Sequence, residues 1–139
     1  MNTEVFNHIP WLHVLVGALG YFALGSIWYS ALFGKQWIAY TGINMNDPNA
    51  KKGVAGIMFT SFLLMFVTTI GLAIFEYKLQ IGSTVPAVKL GLLTGVCFSM
   101  TAISISLVYE KKPLGLHFIN GGYNIIGNII AAVILAVWH

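Results

Sequence analysis

Charge is what this sequence has least of. Of 139 residues only 8% are Asp, Glu, Lys or Arg, and arginine does not occur. Soluble domains average about 25% charged residues. With 58% of the residues hydrophobic, too little polar material exists to cover a water-facing surface, so lipid must be the main solvent. The cationic excess of +3 is small and scattered, which excludes the basic patch of a nucleic-acid-binding protein. One cysteine, Cys97, excludes an intrachain disulfide within these residues. No Cys/His spacing matches a zinc site, so neither metal nor cofactor is expected.

Carboxylates are missing where a proton-driven transporter would keep them. A bilayer span takes roughly 20 apolar residues. Four segments qualify, at about 9–33, 54–75, 85–108 and 114–138, and none contains Asp, Glu or Arg. Glu4, Asp47, Glu76 and Glu110 fall at their ends or in loops. Small multidrug antiporters use an intramembrane carboxylate, so this pattern argues against that mechanism despite the matching helix count. His117 is left as the one plausible titrating group. Only Lys89 falls within a span, close enough to its end to snorkel.

What is present specifies an all-α integral membrane protein, a four transmembrane helix bundle in one domain covering residues 1–139. The N-terminal run lacks the basic start of a signal peptide and exceeds a typical h-region, so it reads as a retained span. The 34–53 and 109–113 loops share a side and hold five lysines, Lys35, Lys51, Lys52, Lys111 and Lys112; the other side has Lys78 and Lys89. The positive-inside rule then puts both termini on the non-cytoplasmic side of a cell (inner) membrane. Trp11, Tyr77 and Trp138 suit the outer boundary, and Trp28, Tyr29, Trp37 and Tyr109 the inner one. In the long loop, "GKQWIAYTG" suggests an interfacial helix over about 35–41, ending at Gly42. "NDPNAKKG" suggests a helix start with Asp47 as N-cap and Pro48 in the first turn. Small-residue spacing in "GALGYFALGSIWYS" and "GLLTGVCFSMTAIS" allows, without establishing, a two-fold repeat.

At 100° per residue each span has one small or polar face. On the last, His117, Asn120, Gly121, Asn124, Asn128 and Ala131 share an arc of about 100°. On the first, His13, Gly17, Gly20, Tyr21, Leu24 and Trp28 do so, with Gly25 at the edge. The second offers Gly53, Gly56, Thr60, Val67 and Gly71; the third offers Gly91, Thr94, Cys97, Thr101 and Ser104. Membrane helices associate by close backbone approach and interhelical hydrogen bonds, so these faces should turn inward. Phe62, Leu63, Met65 and Phe66 should then meet lipid or another subunit.

The asparagine stripe has two readings. It can be glue, each amide bonding a neighbouring helix. It can also line a cavity or solute path, since polar residues inside membranes are often functional. Candidates for such a cavity are His117, Asn120, Tyr123, Asn124 and Asn128, with Trp28 and Tyr29 at the same depth. His13 and His117 lie at opposite ends of their spans, which argues against a shared metal site within one monomer. Serines, threonines and Cys97 of the third span have no positioned base, so no catalytic residue and no enzyme activity are expected. A monomer of four helices leaves little room for a pore, which points to a homo-oligomer in the bilayer. A structural or accessory protein with an unknown protein partner is the competing expectation.

"GSIWYSALFGKQW", residues 25–37, and "LHFINGGYNIIGNIIAAVILAVW", residues 116–138, carry a family resemblance. The chain resembles, from about residue 9 to 138, the small four-span bacterial and fungal membrane proteins catalogued as domain of unknown function 1761. Most of the specificity lies in Gly25, Trp28, Tyr29, Ser30, Phe33, Gly34, Lys35 and Trp37. Ala31 departs from the pattern, which has proline there; the helix end should relax while the fold persists. The resemblance implies four helices in a membrane and no particular activity. Trp28 and Tyr29 read either as an aromatic belt or as part of one site with the asparagines.

Overall fold

The computed structural model describes residues 3–44, 46–49 and 52–138. Lys51 of the long loop and His139 lie outside them. A 3-10 segment, Thr3–His8, precedes five helices: α1 (Trp11–Leu32), α2 (Gly34–Thr41), α3 (Val54–Leu79), α4 (Thr84–Tyr109) and α5 (Leu114–Val137). All except α2 are long and apolar enough to cross a membrane. Among the described residues there is no strand. The protein is an all-α bundle.

Helix α5 is the centre. It packs along α4 and α1 and also meets α3, whereas α3 touches α4 only sparsely. Small residues allow this. A Cβ added at Gly91 would lie 2.5 Å from the Ile129 Cα, and one at Gly95 would lie 2.7 Å from the Ile125 Cα. The two glycines of α4 thus rest on the backbone of α5, the close approach that drives helix association in lipid. On the other flank, Gly20 faces Ile134 and Gly17 faces Thr69.

Two helices are not uniformly α-helical. α1 ends in a π-helical stretch, Trp28–Leu32, and α4 carries one at Gly95–Met100. A π turn uses an extra residue and so rotates the remainder of its helix. In α4 the expected inward face holds at Gly91 and Thr94. From the bulge onward it moves: Cys97 and Thr101 are exposed, and Leu107 is buried.

In α3 the expected face is wrong throughout its length. Val67 is 63% exposed, and nothing lies within 4 Å of a Cβ at Gly56 or Gly71. The buried residues are Thr69, Leu72, Ala73 and Glu76. Met65 and Phe66, expected to meet lipid, pack against the core. Leu63 is exposed, as expected. α3 reaches α1 and α5 through Thr69, Leu72 and Ala73, so its glycines do not mark its contact face.

The long loop brings a second correction. α2 ends at Gly42, whose φ of 72° suits glycine. No helix begins at Pro48: residues 46–49 form a turn, in which the Asn49 N–H donates to Asp47 Oδ1 at 2.9 Å. Asp47 therefore caps a turn, the common alternative for a short acceptor side chain. α3 starts at Val54, after Gly53 at φ 77°.

Candidate functional site

The end of α1 and the first half of α5 are tied together by aromatic side chains. The Trp28 Nε1–H donates to the Ile119 carbonyl at 2.9 Å, and the Tyr29 hydroxyl donates to Asn120 Oδ1 at 2.7 Å. Both residues open the π stretch, and although consecutive they reach the one neighbouring helix. Gly25 leaves room for Tyr123, since a Cβ there would lie 2.8 Å from the Tyr123 hydroxyl. The Tyr29 ring meets Tyr123 at 5.2 Å and Trp37 at 5.9 Å, edge to face in both cases. Gly34 starts α2 directly against the Tyr29 carbonyl, turning Trp37 back over the site.

These rings and amides border a cavity of about 610 Å³. Its polar wall is Tyr29, Asn120, Tyr123 and Asn124, and its apolar wall includes Phe22, Trp37, Ile57, Met65 and Ile103. Ser26, Ser30, Ile57 and Met58 are both cavity-lining and exposed, which sets the open side between α1 and α3. Volume and wall chemistry fall in the range of small-molecule pockets.

The three stacked asparagines do different things. Asn128 is 1% exposed. Its Oδ1 accepts from the Thr94 hydroxyl at 2.9 Å, and its Nδ2 donates to the Asn124 carbonyl at 2.6 Å and to Ser99 Oγ at 3.3 Å. Asn124 accepts from the Tyr21 hydroxyl and donates to the Asn120 carbonyl at 2.8 Å. Asn120 accepts from Tyr29, but its Nδ2 has no acceptor among the described residues. Full pairing thus gives way, along the stripe, to an open donor on the cavity wall. Smaller cavities continue beside Asn124, about 190 Å³, and beside Asn128, about 210 Å³.

Of the sequence candidates, Tyr29, Asn120, Tyr123 and Asn124 share the large cavity. Trp28 and His117 do not line it. Trp28 is a clamp on α5, packed on Gly122 and Phe33; His117 is buried at 8% exposure. Asn128 is a helix-pairing residue beside a separate cavity. Sequence reasoning missed Tyr21, Thr94, Ser99 and Trp37 as members of the site. Tyr21 and Thr94 lie on faces expected to turn inward, so their contact with the asparagines is within reach of periodicity. Ser99 enters only through the π stretch.

One expectation fails at the far end. α3 continues to Leu79, so Glu76 belongs to a membrane-spanning helix, and its side chain is 6% exposed. A carboxylate is therefore buried in the bundle. The uninterrupted apolar run stops at Phe75, but Tyr77 and Leu79 prolong its character beyond the carboxylate.

Four apolar helices bordering a mainly apolar cavity with one polar wall define a small multi-pass membrane protein. The chain belongs to the family described as "Protein of unknown function (DUF1761)", which matches residues 12–136. No curated protein and no solved structure matches it.

Proposed function

We propose that this is a non-enzymatic membrane protein that binds a small, uncharged amphiphile in the Asn120 cavity. The observation that carries this reading is the Asn120 Nδ2, a donor without a protein acceptor on the wall of a mainly apolar cavity. A ligand with one hydrogen-bond acceptor and an apolar tail complements that wall. Entry is lateral, between α1 and α3. Binding is favoured over permeation because Asn128 closes the far end of the stripe with its amide fully bonded. The protein acts as a homo-oligomer in the cell (inner) membrane, with both termini on the non-cytoplasmic side. Cysteine introduced at Asn49 in a Cys97-free background tests that orientation: labelling from outside only would reverse it.

2-Octanone, an acceptor with an apolar tail, is a suitable probe. Its binding is read by Trp37 fluorescence in a variant whose other tryptophans are phenylalanine. Asn120→Leu should weaken binding about fivefold, the worth of one net hydrogen bond of about 1 kcal/mol. Equal affinity of the two proteins, or no saturable binding, refutes the reading. A second reading, a structural or accessory protein, draws on the amides of Asn124 and Asn128, both spent on the bundle. It predicts no saturable binding, with loss of stability as the sole effect of Asn→Leu changes.

A further inference from the structure

A further cavity, of about 160 Å³, lies at the opposite end of the bundle, between the 3-10 segment, the end of α3 and the end of α5. Glu76 lines it together with His8, Pro10, Tyr77, Ile81 and Leu135. Glu76 Oε1 is buried and, among the described residues, is the one buried side-chain oxygen or nitrogen without a hydrogen-bond partner. A carboxylate in such a place is costly unless a proton or a cation neutralises it.

Among the described residues, no side chain lining the cavity pairs with Glu76 Oε1. From the 3-10 segment comes His8, whose ring is stacked on Tyr77 at 4.9 Å; Glu4 lies on the same segment. Pro10, just before α1, Leu135 of α5 and Ile81 of the loop complete this part of the lining, none of them charged. His13 of α1 is stacked on Trp138. On α3 itself, Lys78 Nζ is held 5.9 Å from the Tyr77 ring centroid. α3 ends at Leu79 and α5 at Val137, so two helix C-termini converge here. Each presents the negative end of its dipole, which favours a positive charge. Val5 and Ile9 are buried and hold the 3-10 segment over the cavity.

We propose that this cavity binds one small monovalent cation, which pairs with the Glu76 carboxylate and displaces its proton to water. The volume accommodates an alkali ion with a few waters, at roughly 30 Å³ each, or an ammonium of methylammonium size.

The test uses the full chain in detergent, with NaCl, KCl and methylammonium chloride as probes and tetraethylammonium as an oversized control. Dicyclohexylcarbodiimide labels protonated carboxyls in apolar sites, and peptide mass mapping follows Glu76. At least one probe should slow labelling of Glu76 fivefold or more while tetraethylammonium does not. The protecting probe distinguishes an alkali ion from an ammonium. The same probe should release protons in weakly buffered solution and raise the melting temperature, and Glu76→Gln should lose both responses. The proposal is overturned if Glu76 is not labelled in cation-free protein, if no probe protects it, or if Glu76→Gln responds like the parent. Should Glu76→Gln fail to fold, the labelling of the unmodified protein decides alone.

Discussion

Gly91→Ala adds a single methyl group where α4 meets α5. The new Cβ would sit 2.5 Å from the Ile129 Cα and 2.8 Å from its N, about 1 Å inside the ~3.5 Å at which such atoms pack. Both obstacles are backbone, so no rotamer change removes the clash and the helices must part. Overpacking of this kind costs about 1–3 kcal/mol. Alanine also returns about 1 kcal/mol of helix propensity, which blurs the effect of the single variant. Gly71→Ala in α3 removes that ambiguity. It makes the same chemical change in another spanning helix, and its Cβ meets nothing within 4 Å. The propensity gain cancels between the two, so their difference reports the overpacking of about 1–3 kcal/mol alone. Gly25→Ala should fall between them, because its Cβ meets the movable end of Tyr123. Unfolding by denaturing detergent, followed by tryptophan fluorescence, gives the three values. If Gly91→Ala and Gly71→Ala are equally stable, α5 is not packed on the Gly91 face and the arrangement of the bundle is wrong.

The same contacts give three more expectations. Asn128→Leu should destabilise by about 1–2 kcal/mol, in line with interhelical hydrogen bonds in membranes, and by more than Asn120→Leu in the same unfolding assay. Gln80 ends α3 with φ of 56°; Gln80→Gly should stabilise by about 1 kcal/mol by relieving a left-handed conformation, and a loss of stability there would contradict the cap. A nitroxide on Cys97 should be relaxed by oxygen and not by a water-soluble nickel complex. Shielding from both would return Cys97 to the bundle interior.

How far the sequence reaches differs from helix to helix. In the first and last helices, periodicity places Gly17, Tyr21, Gly121, Asn128 and Ala131 inward, and they are buried. Their small or polar arcs coincide with real contacts, because α5 is touched on several sides. The third spanning helix is legible up to its π stretch. No residue between 95 and 100 announces an extra residue per turn, and a constant 100° step then carries the wrong residues inward. In the second, glycine is a false marker of contact, since Thr69, Leu72 and Ala73 make its contacts instead. Within the cavity, Asn120 and Asn124 are legible from their face and Tyr29 from its depth, whereas Tyr123 lies off the polar arc. The open donor on Asn120 is not legible, since it depends on which carbonyls its neighbours have already taken. The burial of Glu76 is hidden by its place at the end of the hydrophobic run, where a 3-10 segment stands in place of solvent.

The central position of α5 has a consequence for how the protein is made. Chains fold as they emerge, N-terminal parts first. Here α1, α3 and α4 reach the bilayer before the helix on which they pack, and α3 and α4 have little contact with each other. Tyr29, Tyr21 and Thr94 wait for acceptors on Asn120, Asn124 and Asn128, all delivered last. Assembly is then completed late by one helix, and a chain stopped before Leu114 would keep α1 packed on α3 while α4 stayed loosely held.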